Sequence, residues 1–562
     1  AGSQKMIFQV GDGAVNAMII DGAGNVGIGL AAPSQLLHVE KDQNAATILL
    51  IDNNTSGTGA YSALDVRGSA AGAKLRVHSA GFSTSNQYIA DGVLLESESD
   101  ASDGLSLSAY NGNMKFWTGS AKRMVIDDNS RISLSNNDSG GTGGLNSTTG
   151  NTVFGYLAGQ SIDSGSVNNT FIGHGVSDAS MDDAIYNVGI GSGALSALTS
   201  GDYNVAVGGS TGTAVTTGHS NTLIGVGAGE SITTANQNTF IGRAAGDAVT
   251  VTDSGNADGT TGVGYAALSS LTTGKQNVAV GLQALATLTE GDYNTAIGYQ
   301  ALDAMVDGDR NIAIGAGSMG TADGSEMDNI AIGYAALGNL SHNDATENIA
   351  IGNYAGDGMG AFGSTHNIFV GSHSGGGTWD TAASHNNVGV GNYTMDAAMD
   401  TASNNTAVGH AALSGLQHGD SNVAIGYQAG NDITDGIRNT FVGSGCGDQM
   451  TIGRYNTAIG YDALAVETVG DESTAVGYAA LYYQIMGSNN LISNNTAIGN
   501  QSGYSNVTGV NNTYVGHAAG QGPGGGGGGN HSNNTGVGND ALLSVTTGNN
   551  NIAIGSGAGA SI

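Results

Sequence analysis

The sequence predicts an all-β protein whose main part is an elongated repeat β-solenoid, with small strand-rich modules before it. The phrase Asn-(Thr/Val/Ile)-x-(Ile/Val)-Gly occurs twenty-three times from Asn151 onward, most often at a spacing of 17 residues. Its second residue is always β-branched, and its fourth is Ile or Val except at Phe154, which is the alternation of a strand. Repetition at so short a period is typical of a solenoid, in which each repeat forms one coil.

The composition excludes several classes of protein. The 562 residues include 97 Gly and only 6% aromatic residues, too few large side chains for several compact cores, so burial must be distributed along an axis. A net charge of -32 repels phosphate backbones and predicts no nucleic-acid partner. No apolar run of about 18 residues is present, so we expect no membrane insertion. The lone Cys446 excludes an internal disulfide framework and is expected to be a small buried filler.

Changes in sequence pattern divide the chain into an N-terminal β module at 1–45, a second β module at 46–140 and the repeat array at 141–562. Two segments ahead of the array, Ala17–Ile28 and Arg123–Leu134, are each predicted to form a strand, an Asp-led turn and a second strand. Further short strands are predicted between them, at Leu36–Val39, Ala63–Val66, Lys74–Val77 and Leu105–Leu107.

Within each coil, numbered from the Asn of the phrase, the side-chain volumes at positions three and nine are inversely related. An aromatic residue at position three is matched by a small residue at position nine, and Gly at position three by Leu or Met. Two side chains that trade volume in this way are expected to fill one close-packed space. The pairs are Phe171/Ser177, Phe240/Gly246, Phe369/Gly375, Phe441/Gly447, Tyr514/Gly520, Gly189/Leu195, Gly262/Leu268, Gly389/Met395 and Gly536/Leu542.

The strand of each coil is predicted to be buried on both faces, because positions two and four lie on one face and position three on the other, and apolar residues occupy both. A coil of about 17 residues covers only its own inside. We therefore expect copies of the same chain to seal the outer face, in a homo-oligomeric fibre and most simply a homotrimer. Twenty-three coils at about 4.8 Å each would span roughly 110 Å.

Two further positions have predicted structural roles. The Asn at position one is replaced only by Thr260 and Ser473, and its amides are expected to form a ladder between successive coils. The Gly at position five suits a site that requires positive φ or close backbone approach.

The phrase Asn294–Leu302, Asn-Thr-Ala-Ile-Gly-Tyr-Gln-Ala-Leu, resembles the repeats of bacteriophage tail-fibre proteins and, more distantly, the β-roll heads of trimeric autotransporter adhesins. The segment Asp21–Gly29 followed by Pro33–Val39 is similar to strings that precede such arrays in phage fibres. The resemblance implies a trimeric appendage, on a virion tail or at a cell surface, that attaches to a host. Its implied partners are other virion or surface-appendage proteins and a host surface glycan or protein. Adhesin-head repeats are shorter than 17 residues, and no counterpart of the C-terminal chaperone domain of many phage fibres is visible.

No catalytic, cofactor-binding or metal-binding residue is predicted. Gly-rich strings such as Gly27–Gly29 and Gly225–Gly229 open no predicted helix, so they lack the helix N-terminus that would hold a pyrophosphate, and we interpret them as repeat punctuation. The acidic turns Asp307–Asp309 and Asp127–Asn129 match no calcium-binding loop, and calcium is kept only as a minor alternative.

Three coils carry His in place of Tyr at position six, namely at His174, His410 and His517. A three-fold axis could bring such imidazoles together around an ion, but polar substitution on a solvated edge is the simpler interpretation. An enzyme is not expected, since the acidic residues are scattered through turns and no insertion is long enough to wall a cleft.

The sequence thus predicts a structural, adhesive phage tail fibre, with a bacterial surface adhesin or filament subunit as the alternative and a polysaccharide-degrading tailspike as a weaker one. Loops between coils could vary a receptor contact without disturbing the coils themselves. The longest of these predicted loops are Thr250–Asp258, Met319–Asp328, Gly358–His366, Tyr482–Asn494 and Gln521–Asn533, the last of which contains the Gly524–Gly529 run.

Overall fold

The computed structural model describes the repeat array almost throughout and the preceding part mainly at its strands. All regular structure within the described residues is β, and no helix occurs among them. The chain divides into two compact units, Ala1–Met114 and Lys115–Ile562. The described residues are 4–9, 16–30, 32–39, 51, 61–67, 72–78, 93–97, 114–118, 121–126, 132–134, 150–249, 257–379, 381–487, 491–524 and 529–561.

The first four strands form one sheet in sequence order: β1 (Met6–Gln9), β2 (Asn16–Ile20), β3 (Val26–Ile28) and β4 (Leu37–Val39). β1 to β3 are antiparallel neighbours, and β4 joins β3 in parallel. Asp21 begins the turn between β2 and β3, where its Oδ1 accepts hydrogen bonds from the amides of Ala23 and Asn25, both at 2.9 Å. The predicted strand, Asp-led turn and strand at Ala17–Ile28 is therefore confirmed.

Two three-stranded sheets follow before the array. β5 (Tyr61–Arg67), β6 (Gly72–His78) and β7 (Val93–Ser97) are antiparallel. β8 (Met114–Thr118), β9 (Ala121–Ile126) and β10 (Ile132–Leu134) form the other sheet in the order β10-β9-β8, with β9 and β10 antiparallel. These strands include the predicted ones at Ala63–Val66 and Lys74–Val77. The predicted strand Leu105–Leu107 and the turn Asp127–Asn129 lie outside the described residues.

The array is a parallel β-solenoid in which twenty-three three-residue strands form one sheet in sequence order. Position two of each strand pairs with position two of the next, as Thr295 does with Ile312. The strands are β11 (Thr152–Phe154), β12 (Thr170–Ile172), β13 (Val188–Ile190), β14 (Val205–Val207), β15 (Thr222–Ile224), β16 (Thr239–Ile241), β17 (Thr261–Val263), β18 (Val278–Val280), β19 (Thr295–Ile297), β20 (Ile312–Ile314), β21 (Ile330–Ile332), β22 (Ile349–Ile351), β23 (Ile368–Val370), β24 (Val388–Val390), β25 (Thr406–Val408), β26 (Val423–Ile425), β27 (Thr440–Val442), β28 (Thr457–Ile459), β29 (Thr474–Val476), β30 (Thr496–Ile498), β31 (Thr513–Val515), β32 (Thr535–Val537) and β33 (Ile552–Ile554).

The core of the solenoid is formed by positions one, three, eight, nine and twelve, as in the coil that begins at Asn294, where Ala296, Ala301, Leu302 and Met305 are fully buried. Side chains inside so narrow a coil must share one small volume. The predicted exchange of volume between positions three and nine is confirmed by the geometry. A Cβ added at position nine would lie 2.6 Å from the ring at position three in the coils of Phe240 and Phe441, and 2.7 Å from it in the coil of Phe369. In the coil of Tyr514 the added Cβ would lie closer still.

Volume is also exchanged between successive coils, which the sequence analysis did not predict. Four of the five aromatic residues at position three pair across the sheet with Gly at position three of the next coil. A Cβ on Gly262, for example, would lie 2.9 Å from the ring of Phe240. The pairs are Phe171/Gly189, Phe240/Gly262, Phe369/Gly389 and Tyr514/Gly536.

The amide ladder predicted for position one is confirmed. The backbone amide of Asn311 donates to Oδ1 of Asn294 at 2.9 Å, and its Nδ2 donates to the same oxygen at 3.2 Å and to the carbonyl of Glu326 at 2.7 Å. Nearly every position-one Asn repeats this pattern while fully buried, so each amide joins one coil to its neighbour.

The amide ladder is interrupted at Ser473 and at Thr260, and only the interruption at Ser473 is bridged by another side chain. Gln484 bridges the gap at Ser473, since its Nε2 donates to the Ser473 hydroxyl at 2.8 Å and its Oε1 accepts from Nδ2 of Asn495 at 2.9 Å. No such bridge exists at Thr260, whose buried hydroxyl has no hydrogen-bond partner, and Nδ2 of the preceding Asn238 also lacks one.

Each coil turns through residues with positive φ. Gly298, at position five, has φ 142°, and a Cβ there would lie 2.6 Å from the carbonyl oxygen of Gly315 in the next coil. This confirms the predicted role of Gly at position five. Three more residues of the same coil are left-handed although none is Gly: Gln300 at position seven, Leu302 at position nine and Arg310 at the last position, with φ between 51° and 56°.

Candidate functional surfaces of the solenoid

The side chains at positions two and four form a continuous β-branched sheet face on the outside of the array, in which position four is Ile or Val in every coil but that of Phe154 and position two is Thr in thirteen coils and Val or Ile in ten. In the single chain position two is mostly half-buried, and position-four residues such as Val280, Ile297 and Ile425 are 37 to 41% exposed. The prediction that the strands are buried on both faces therefore holds within one chain only for the inner face. An apolar face of this length is what an interaction surface presents.

Beside the sheet face, just after the Gly at position five, lies an aromatic ladder that we define as Tyr334, Tyr354, His373, Tyr393, His410 and Tyr427. The six rings come from six successive coils, and neighbouring ring centroids are 5.2, 5.0, 5.3, 5.6 and 5.5 Å apart in that order. All six rings are partly or largely open to solvent. Elsewhere in the described coils position-six aromatic contacts are isolated pairs, such as Tyr156 with His174 and Tyr461 with Tyr478.

The aromatic ladder is continuous because some coils carry its aromatic residue at position six and others at position seven. Tyr334, His410 and Tyr427 lie at position six. The other three rings, Tyr354, His373 and Tyr393, lie at position seven and follow Asn353, Ser372 and Asn392. The amide oxygens of Asn353 and Asn392 accept backbone N–H groups of the preceding coil, at 3.1 and 2.9 Å. Sequence reasoning noticed the position-six residues but missed the ladder, since the position-seven rings only join it in three dimensions.

Two half-buried carboxylates lie next to the ladder. Burial raises the pKa of Asp357 to about 6, against the opposing effect of His373 and with a further rise from Asp396. Burial raises the pKa of Asp396 too, and His373 again opposes the change. Oδ1 of Asp357 is buried and accepts no hydrogen bond. Both residues occupy position ten, and the coil between them carries Gly376 there, which leaves room for the two side chains.

Carboxylates at position seven or ten recur along the same side of the array. Burial raises the pKa of Asp247, Asp303, Asp448 and Asp462, and in Asp448 the neighbouring Asp432 and Asp462 raise it further. The described residues hold no group of three or more His, Cys, Asp or Glu placed to bind a metal ion.

The structure assigns backbone roles to most of the sequence motifs. Oδ1 of Asp309 accepts the amide of Asp292 at 2.7 Å, and Oδ1 of Asp307 accepts the Thr289 hydroxyl at 2.9 Å, so this acidic turn links neighbouring coils. The Gly225–Gly229 string has positive φ at its three glycines and opens no helix.

The remaining single residues are also accounted for. His174, His410 and His517 lie on the exposed edge, as their simpler interpretation predicted. Cys446 is confirmed as a buried filler: its Sγ donates to the carbonyl of Ala458 at 2.9 Å, and burial raises the pKa of its thiol to about 12.

Buried ionisable residues in the array were not predicted. Glu467 takes the place of an apolar residue at position twelve, and its Oε1 accepts the amides of Thr468, Val469 and Gly470 at 2.8 to 3.0 Å. Glu326, inside the predicted loop Met319–Asp328, is fully buried, and burial raises its pKa. His531 is buried beside the Tyr514 hydroxyl, and burial lowers its pKa to about 4.

Comparison with protein-family models, with curated proteins and with solved structures finds no match to this chain. Among the described residues, no helix is long and apolar enough to cross a bilayer. The function therefore has to be argued from the geometry of the coils.

Proposed function

We propose that this chain is a non-catalytic subunit of an adhesive fibre, of the tail-fibre kind that its repeats resemble, and that it attaches a virion or an extracellular appendage to a host cell surface. The supporting observation is the apolar sheet face that accompanies the whole array. In this proposal copies of the chain seal the face and make a rigid fibre, and the turns on the other sides of each coil remain free to contact the host.

The dimensions of the sheet face support assembly with further copies. Three residues of strand and twenty-three coils define a face of roughly 100 Å by 10 Å, at about 4.8 Å per coil. This area of roughly 1,000 Å², lined by Ile or Val at position four and by Thr, Val or Ile at position two, is close to the roughly 800 Å² that each partner buries in a stable interface.

We propose three copies because the fibres that the repeats resemble are trimeric. Each chain presents one sheet face, and three such faces can close around an axis as the inner walls of a triangular prism, in which every chain makes the same contacts. β-branched residues at positions two and four suit this arrangement, since their restricted rotamers pack with little loss of conformational entropy.

Light scattering of the purified chain tests the assembly. We expect a mass three times that of the 55.5 kDa chain. Ile297→Asp combined with Ile314→Asp places two charges in the sheet face and is expected to yield monomers, whereas Ala304→Asp, on another side of the same region, should leave the trimer intact. A wild-type monomer at about 0.15 M salt would contradict the trimeric fibre.

Attachment itself is tested with fluorescently labelled protein on a panel of bacterial cells. We expect saturable binding to the cells of some hosts and not of others. Absence of binding throughout a broad panel, with the trimer intact, would contradict the adhesive function while leaving the fibre assembly in place.

A further inference from the structure

We propose that the aromatic ladder binds an extended, neutral, β-linked polysaccharide that runs along the six coils. This inference deepens the attachment function proposed above and rests on it. It names the ligand class and the coils that hold it.

The fold does not require rings at these places. Tyr354, His373 and Tyr393 have φ between 54° and 58°, a conformation that Gly adopts without steric cost. Equivalent positions in other coils carry Ala or Gln with the same φ, as at Ala266 and Gln300. Since Ala or Gln suffices at this position, partly exposed rings there in three successive coils indicate a role other than folding.

The spacing of the ladder suits a sugar polymer. Centroids 5.0 to 5.6 Å apart repeat at a distance close to the length of one pyranose residue in an extended β-linked chain. At three steps the ring planes differ by 33°, 18° and 21°, so neighbouring rings turn their faces toward each other and their edges outward. The planes differ by 78° between Tyr334 and Tyr354 and by 60° between Tyr393 and His410. At these two steps one ring meets its neighbour with its edge and keeps its own faces free of that neighbour. Such faces can pack against the C–H side of a sugar ring, while tyrosine hydroxyls bind its oxygens.

The charge of this region selects a neutral ligand. No Lys or Arg occurs between Arg310 and Arg438, a stretch that contains the entire ladder. Asp357 and Asp396 both interact electrostatically with His373 of the ladder, and Oδ1 of Asp357 has no hydrogen-bond partner. These carboxylates repel uronic acids and phosphates, and those of their oxygens that are open to solvent can accept hydrogen bonds from the hydroxyls or amides of neutral sugars.

The test measures binding of defined hexasaccharides to the full chain by calorimetry. The probes are cellohexaose and chitohexaose, which are neutral and β-1,4-linked, with a mannuronate hexamer as the anionic comparison. We expect a neutral hexamer to bind and the anionic one not to bind. Tyr354→Gln combined with Tyr393→Gln introduces the residue that sister coils carry at position seven and should weaken binding by about tenfold or more.

A matched control removes two rings outside the ladder. Tyr461→Gln combined with Tyr478→Gln takes away a stacked pair at 5.7 Å, and we expect it to bind the hexamer as the wild type does. Equal binding by the ladder variant, or no binding of either neutral hexamer by the wild type, overturns the inference. So does a ladder variant that loses its oligomeric mass, since the ladder would then be covered by a second copy.

Cell attachment, measured in parallel, separates this inference from the proposed function. If wild type and ladder variant attach to cells equally well, the sugar site is wrong and the adhesive function stands. If the wild type binds a hexamer through the ladder but attaches to no cell, the sugar site stands and the adhesive function is wrong.

Discussion

At the scale of single residues, the buried Asn at position one joins each coil to the next, and Thr260 shows what its absence leaves behind. The Thr260 hydroxyl has no hydrogen-bond partner although it is fully buried. In a regular coil the backbone amide and Nδ2 of the next Asn both donate to the Oδ1 of the ladder, as Asn311 does to Asn294. Asn277, the next residue of the ladder after Thr260, therefore has no such acceptor to use.

Restoring the ladder at this place should stabilise the array. We expect Thr260→Asn to raise the free energy of unfolding by about 1 kcal/mol, the net value of one or two buried hydrogen bonds. Chemical denaturation followed by circular dichroism measures the change. Thr261→Asn, on the sheet face beside it, is the matched control and should show no gain. An unchanged denaturation midpoint for Thr260→Asn would show that the surrounding coil, rather than the missing amide, sets the local stability.

The half-buried Asp357 makes the stability of its coils depend on pH. Its pKa is raised from 3.8 to about 6 by burial, so between those values the folded chain holds a proton that the unfolded chain has released. This carboxyl therefore stabilises the fold as the pH falls through 6, and it destabilises the fold at pH 7. We expect Asp357→Asn to be more stable than wild type at pH 7 and to lose that advantage near pH 4.

Thermal unfolding at pH 7, 5.5 and 4 measures this difference. His531 acts in the opposite sense, because burial lowers its pKa to about 4. The fold therefore loses stability as the pH falls below about 6.5, the pKa of His in the unfolded chain. Since His531 is present in both proteins, subtracting the two curves removes its contribution and leaves that of Asp357 together with its electrostatic interaction with His373 and Asp396. A difference independent of pH would show that the carboxyl titrates normally.

At the scale of the coil, the packing unit is larger than one repeat. Phe240 fills space that is left free by Gly246 in its own coil and by Gly262 in the next one. Removal of the ring alone should cost about 3 to 5 kcal/mol, as for other buried Phe→Ala changes. Gly246→Leu alone should also destabilise, since a Cβ there would already lie 2.6 Å from the ring.

The double variant Phe240→Ala with Gly246→Leu reproduces the commoner pairing of Ala296 with Leu302 and should recover most of the lost stability. The backbone permits this change, because Leu302 has φ 53° and Gly246 has φ 60°. A double-mutant cycle by denaturant unfolding measures the coupling. Additive losses in the two single variants would show that positions three and nine do not share one space.

The sequence predicted those elements of the coil that repeat in its letters. The strand, the amide ladder, the Gly at position five and the exchange of volume within a coil all follow from residues that recur at fixed positions. The left-handed residues were missed, because Gln300, Leu302 and Arg310 are not the Gly or Asn that usually mark positive φ. The absence of Val and Ile from these positions could have revealed them, since neither residue has positive φ anywhere in the described part of the chain.

Features that depend on neighbouring coils were the hardest to predict. The aromatic ladder, the pairing of Phe171 with Gly189 and the bridge of Gln484 at Ser473 join residues 11 to 20 positions apart. Their separations depend on local coil length, which ranges from 17 to 22 residues. Only the three-dimensional register decides which side chains meet. The trimer, the fibre and the host partner stay predictions for the same reason, as they concern contacts beyond one chain.

At the scale of the whole molecule, charge and the sheet face oppose each other. A trimer would bring together three chains with a net charge of -32 each, while burial of the apolar sheet face draws them together. Salt screens the repulsion over a Debye length of about 30 Å at 0.01 M and about 8 Å at 0.15 M, and it leaves the apolar contact largely unaffected. Assembly should therefore strengthen with ionic strength, in contrast to the binding of a nucleic acid by a basic protein.

We expect the light-scattering mass at a fixed low protein concentration to rise from the monomer toward the trimer between these two salt concentrations. The Ile297→Asp, Ile314→Asp variant is the matched control and should remain monomeric at both, because screening cannot restore an apolar surface that has lost its continuity. Sedimentation velocity at the same concentrations gives an independent measure of the trimer fraction. If the wild-type oligomer instead dissociates as salt is added, ion pairs between chains hold it together, and the sheet face is not the interface.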